Sequence, residues 1–115
     1  NEIYDIFVGF KCEGKDSYPD TTKEFVDKMN SLIKISSSQV FKIKAPLINK
    51  DKDEIVLLGK MLDVNFRKTF SCYIGNKIHC GYCLACRLRQ EAFYWANLKD
   101  QTRYEVKAKD FRLAN

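Results

Sequence analysis

The period of apolar and polar positions changes along the chain, and each change marks an element. Ile6, Phe7 and Val8 form an unbroken apolar run that stops at Gly9. That is the pattern of a strand buried in a parallel sheet, expected over residues 3–9. Gly14, Ser17, Pro19 and Asp20 make residues 11–20 a loop at the carboxyl end of that strand, the place where open α/β sheets bind ligands. Thr21 with Glu24 reads as a capping box, and Phe25, Met29, Leu32 and Ile33 follow at helical spacing, so a helix is expected over 22–34 with these four in the core. After a short polar connector at 36–38, Phe41, Ile43 and Ala45 alternate with Lys42 and Lys44. This predicts a second strand over 40–45, near a sheet edge with one wet face, closed by Pro46.

A second capping pair, Asp51 and Glu54, precedes Ile55, Leu58, Met61 and Leu62, which predict a helix over 52–62 in spite of Gly59. Leu84, Leu88, Ala92 and Trp95 predict one apolar face of a further helix that begins among cysteines and ends near Asn97. Beyond it the chain is polar, with Tyr104, Val106, Phe111 and Leu113 as scattered anchors. Strand, helix and strand in that order, with more helices after them, place the chain in the α/β class.

Composition narrows the picture. The 115 residues are 45% hydrophobic and 30% charged, one ordinary globular domain's worth of sequence. Apolar runs such as Ile55, Val56, Leu57 and Leu58 are far short of the roughly 18–20 residues a membrane span needs. A retained signal peptide is not expected, because no apolar block ends in a small-residue cleavage site; Asn1 reads as a cut end. The net charge of +5 is spread along the chain rather than gathered in a stripe, so direct nucleic-acid binding is not expected. The five glycines, at 9, 14, 59, 75 and 81, form no phosphate cradle, and a single His gives no Ser/His/Asp set.

The strongest chemical signal is sulfur. Cys12 stands alone, while Cys72, Cys80, Cys83 and Cys86 fall within fifteen residues. Two successive C-x-x-C steps bring three sulfurs onto one tight turn entering a helix, and Cys72 supplies a fourth corner across a seven-residue loop. Disulfides between such near neighbours would constrain little, whereas a structural zinc takes four thiolates tetrahedrally. A redox C-x-x-C pair, an iron-sulfur cluster and unligated thiols are the alternatives. Reduced thiols imply a cytosolic setting. His79, next to Cys80, reads as a bystander, and Lys77, Arg87 and Arg89 as donors that screen the sulfurs.

Several ordered motifs together carry a resemblance. Thr69-Phe70-Ser71-Cys72-Tyr73 and Cys80-Gly81-Tyr82-Cys83-Leu84-Ala85-Cys86-Arg87-Leu88-Arg89 resemble the carboxyl-terminal zinc segment of the 7-cyano-7-deazaguanine synthase (QueC, or ExsB) family. Upstream, Ile6-Phe7-Val8-Gly9, Tyr18-Pro19-Asp20, and Pro46-Leu47-Ile48 with Lys52, Glu54, Ile55 and Val56 are similar to successive motifs of that family. Phe93, Asp100, Thr102 and Tyr104 fit its tail.

The resemblance implies the carboxyl-terminal part of a Rossmann-like N-type ATP pyrophosphatase fold, the adenine nucleotide alpha hydrolase-like kind, with a helical zinc-binding segment. Residues 1–66 would belong to the nucleotide and substrate α/β domain and 67–115 to the zinc segment. It also implies an ATP-dependent conversion of 7-carboxy-7-deazaguanine and ammonia to a nitrile, with ATP as substrate and magnesium beside it. Lys52 would meet the pyrophosphate, Asp20 the donor edge of the deazaguanine and Tyr18 its ring, while Cys72, Cys80, Cys83 and Cys86 would hold zinc structurally. The family's Ser-Gly-Gly-x-Asp-Ser loop is absent, so this chain alone is expected to be inactive.

Three departures stand out. Thr21 and Thr22 occupy the place of a usual Cys-Arg, Phe70 that of Trp, and Gln101 that of Pro. A paralogue that joins a deazapurine to a protein in antiviral defence, and a non-catalytic zinc-binding interaction module, remain as other readings. An open sheet edge makes a homodimer a further expectation.

Overall fold

A computed structural model of the chain describes residues 3–11, 18–38, 40–75 and 77–106. Cys12 and the glycine of the expected loop, Gly14, lie outside the described residues, as do Phe111 and Leu113. The elements in order are strand β1 (Ile3–Phe7), a 3-10 turn (Pro19–Thr21), helix α1 (Lys23–Ser36), strand β2 (Val40–Lys44), helix α2 (Lys52–Met61), a second 3-10 turn (Phe66–Lys68) and helix α3 (Leu84–Trp95). The chain is α/β, with a parallel sheet of two strands among the described residues. Packing divides it into two compact units, Asn1–Asp51 and Lys52–Asn115. α2, grouped above with the residues before 67, packs against α3.

In the first unit, β1 and β2 run parallel in the register Tyr4 to Phe41 and Ile6 to Ile43. A parallel pair needs a crossover, and α1 supplies it. α1 starts at Thr22, one residue later than the capping box suggested. Thr22 Oγ1 accepts from the Phe25 amide at 3.1 Å, while Thr21 Oγ1 donates to the Tyr18 carbonyl. From the middle of α1, Asn30 reaches the second strand: its Nδ2 donates to the Ile43 carbonyl at 3.0 Å and its Oδ1 accepts from the Ile43 amide at 2.7 Å. A side-chain amide thus does for β2 at that residue what a third strand would do.

The apolar run of β1 is exposed rather than buried, Phe7 at 68% with Tyr4 and Ile6 near half. A single helix cannot cover both faces of a two-stranded ribbon. For the same reason Leu32 of α1 is half exposed and Val26 is the helix's buried residue. β2 does alternate as its pattern predicts, Phe41, Ile43 and Ala45 partly covered and Lys42 and Lys44 exposed.

The second unit closes around Val56, Ala92, Phe93 and Ala96, with Phe66 and Leu98 packed against them. Phe66 and Phe93 meet edge to face, centroids 5.1 Å apart, a favoured aromatic geometry. Gly59 has its explanation here, because a Cβ on it would come within 2.7 Å of the Phe66 ring. The helix gives up propensity at Gly59 to let that ring approach. Val56, not Met61 or Leu62, is the core residue of α2, and Met61 is 82% exposed. Both helices end on a left-handed residue, Asp63 after α2 and Asn97 after α3. There the Val64 amide returns to the Gly59 carbonyl and the Leu98 amide to the Phe93 carbonyl, which satisfies carbonyls the helix ends leave open.

Asn30→Ala removes both partners of the Ile43 peptide groups. It should destabilise the first unit by about 1–3 kcal/mol, read as a fall in denaturation midpoint; an unchanged midpoint would show that the Asn30 bridge contributes nothing.

Candidate metal centre

Local backbone turns, held by a segment that returns from beyond α3, bring the four sulfurs together. Gly81 adopts φ 88°, and a Cβ there would collide with the Val106 carbonyl, so the turn after Cys80 requires glycine. Gln90 of α3 holds that turn by donating to the Gly81 carbonyl at 3.1 Å. Cys83 is the N-cap of α3, its sulfur accepting from the Cys86 amide at 3.4 Å. The segment after α3 returns to the site, where the Glu105 and Val106 amides donate to the carbonyls of His79 and Cys80.

The sulfurs of Cys72, Cys80, Cys83 and Cys86 all lie within 4.8 Å of one another and could hold a metal ion. Cys80 and Cys86 are fully buried and Cys72 and Cys83 half-buried. Two Sγ–Sγ separations, Cys80 to Cys86 and Cys72 to Cys83, are 3.9 Å. A disulfide needs about 2.05 Å, whereas four sulfurs at about 2.3 Å from a tetrahedral ion stand about 3.8 Å apart. The observed spacing fits the second.

Amides point at the sulfurs as they would at thiolates. Cys72 accepts from Gly75 at 2.9 Å, Cys80 at 3.3 Å and Ile74 at 3.4 Å, and Cys80 accepts from Cys83 at 3.3 Å. Burial pushes the Cys72 thiol up, but the amides of Cys80, Gly75 and Ile74 outweigh it and hold the group down at about 6. Burial likewise opposes ionisation of Cys83, and the Tyr73 and Cys86 amides overcome it. Cys86 is pushed up to about 12 by burial. Without a cation the four sulfurs therefore cannot all be charged together; a bound dication is what would deprotonate the whole set.

His79 stands outside the cluster. It is 4% exposed, its Nε2 accepts from the Ser71 amide at 3.1 Å, and its ring packs against Phe70 at 4.4 Å. Burial and the Arg89 charge hold its pKa below the usual value, with Asp100 opposing. Arg89, read from the sequence as a donor to sulfur, instead gives its hydrogen bonds to oxygen. Its partners are Thr69 Oγ1 at 2.7 Å, Thr102 Oγ1 at 2.9 Å, the Phe66 carbonyl at 3.1 Å and Ser71 Oγ at 3.4 Å. The guanidinium ties two stretches of chain, residues 66–71 before α3 and Thr102 after it, to the helix. Asp100 supports the last of them, accepting from the Thr102 amide and the Tyr104 hydroxyl. Burial and Asp100 together raise the Tyr104 pKa, so its hydroxyl stays protonated.

The other sequence-predicted residues belong to other elements of the chain. Tyr18 and Asp20 are exposed beside the Pro19–Thr21 turn of the first unit, and Lys52 is the first residue of α2 in the second. Arg89, Thr69, Ser71 and Thr102 are the residues sequence reasoning missed as one group. The only hint was a charged residue on the face of α3 that also carries Cys86.

Comparison with known proteins places these observations. The family described as "Queuosine biosynthesis protein QueC" matches residues 1–97. Proteins named 7-cyano-7-deazaguanine synthase are similar to the chain: that of Methanobrevibacter smithii is 40% identical over 99 residues, 86% of this chain and 44% of the relative. The Clostridium kluyveri protein is 38% identical over 108 residues, 89% of this chain and 48% of the relative. The chain thus spans about half the length of the curated relatives it matches.

Metal analysis of the purified protein should give about one divalent ion per chain. Cys86→Ser should lower that content sharply, and chelation should cost helix signal. Full helicity after complete metal removal would show that the sulfurs do not depend on an ion.

Proposed function

Because this chain belongs to the family described as queuosine biosynthesis protein QueC, we propose that it is the carboxyl-terminal part of a 7-cyano-7-deazaguanine synthase built on an ATP pyrophosphatase-like α/β fold. The observation that carries this reading is one family match running through both compact units and the four-sulfur cluster. In this reading residues 1–66 belong to the nucleotide and substrate part and 67–115 to a zinc segment. Cys72, Cys80, Cys83 and Cys86 would hold the zinc, which folds the segment and, with four thiolates around it, has no open position for substrate. Reduced thiols suit the cytoplasm, and the open edge of the sheet suits pairing with a second copy.

The chemistry starts from 7-carboxy-7-deazaguanine and ATP with magnesium. A carboxylate oxygen attacks the α-phosphorus and pyrophosphate leaves. Ammonia then displaces AMP to give the amide, and a second ATP activates the amide oxygen, so that loss of a proton and of AMP leaves the nitrile. Each activation gathers negative charge on phosphate oxygens, and a cation aimed there stabilises it. Lys52 is suited to that task as the first residue of α2, where the helix dipole already favours an anion. Tyr18 offers an exposed ring for stacking and Asp20 a carboxylate to accept from the donor edge of the deazaguanine. The phosphate-gripping loop would come from sequence outside this chain, which by itself would not turn over.

A second reading has one observation in its favour. Thr22, where the family carries a cation, is occupied with capping α1. A relative with this loop would activate the same carboxylate and pass it to a protein amine instead of ammonia.

The full-length protein with 7-carboxy-7-deazaguanine, ATP and ammonium should form the nitrile, detected by mass spectrometry, and Lys52→Ala should slow it about a hundredfold. No nitrile, but a deazapurine joined to a protein amine, would favour the second reading. Neither product would overturn both.

A further inference from the structure

Beside the thiolate cluster the second unit holds a cavity of about 320 Å3 with three cations, Arg67, Lys77 and Arg103, and no carboxylate in its lining. Phe70, His79 and Thr102 form part of its wall. Arg89 lies behind that wall at 7% exposure, bonded to the wall residues Thr69 and Thr102. All of its hydrogen bonds end on neutral oxygens, and among the described residues no carboxylate pairs with it. A buried charge needs a counter-charge. Asp100, the acid felt by this region, is engaged by the Thr102 amide and the Tyr104 hydroxyl.

His79 adds a donor. Because its Nε2 accepts from the Ser71 amide, the neutral ring carries its proton on Nδ1, and no acceptor for that N–H is present among the described residues. An unpartnered donor in the wall, a buried guanidinium behind it and three more cations around the opening all favour negative charge in the same space.

We infer that this cavity binds the phosphate group of a nucleotide-sized ligand, with Arg67, Lys77 and Arg103 around the phosphate and Phe70 beside the ligand's ring. A dianion suits several converging cations better than a single carboxylate does. The volume sits at the lower end of small-molecule sites, about 300–1,000 Å3, and Phe70 is half exposed, as a stacking surface must be. The site lies within residues 66–103 and includes none of Lys52, Tyr18 or Asp20. It stands or falls separately from the synthase reading.

The test uses the metal-loaded full-length protein and the NMR signals of the His79 ring, assigned through His79→Gln, so that binding at any other nucleotide site does not register. AMP, inorganic phosphate and adenosine are titrated separately at low salt. AMP should shift the His79 signals and adenosine should not. The double variant Lys77→Ala/Arg103→Ala, both exposed residues, should weaken the AMP effect about tenfold or more, the scale of one or two lost charged hydrogen bonds. Inorganic phosphate acting as strongly as AMP would overturn the nucleotide part and leave a free-phosphate site. No shift with either anion, an equal shift with adenosine, or an unweakened double variant would overturn the inference whole.

Discussion

Four sulfur atoms held closer than uncompensated thiolates tolerate are the constraint on which the second unit depends. Their separations match ligands around one ion and are far too long for disulfides. The surrounding backbone follows from that demand. Gly81 takes a left-handed turn, amides aim at Cys72 and Cys80, and Cys83 serves at once as a sulfur corner and as the cap of α3. The cluster is thereby welded to the helix that carries the core residues Ala92, Phe93 and Ala96.

A second polar hub sits one turn further along α3. Arg89 gathers Phe66, Thr69, Ser71 and Thr102 onto the helix, and its guanidinium also lies over the Phe93 ring, 5.7 Å from the centroid. Sulfur and guanidinium divide the work. The first fixes the turn that opens α3, and the second fixes the segments on either side of it. Because the guanidinium bonds to neutral oxygens alone among the described residues, the hub places positive charge behind a cavity lined by Arg67, Lys77 and Arg103, which links the packing of this unit to the proposed anion site.

Much of this was legible in the sequence, and the rest was hidden for identifiable reasons. The alternation in β2, the helix after Thr22 and the convergence of Cys72, Cys80, Cys83 and Cys86 all arise from local spacing, which a sequence displays directly. The buried face of α3 does not. Leu84 and Trp95 suggested it, yet Trp95 is 63% exposed while Arg89 and Gln90 are buried, because the unit spends its interior on polar ties instead of large apolar side chains. The partners of Arg89 lie 13 to 23 residues away, beyond any periodicity. β1 looked buried because an apolar run promises cover on both faces, and two strands with one helix cannot supply it. Gly59 looked like a weakness of α2 until the Phe66 ring gave it a purpose.

The account rests most directly on what surrounds the ion. X-ray absorption at the zinc edge of the purified, metal-replete protein should show four sulfur neighbours at about 2.3 Å and no nitrogen. A shell containing nitrogen, which would bring His79 into the coordination sphere, or oxidised sulfurs with no metal bound, would contradict it.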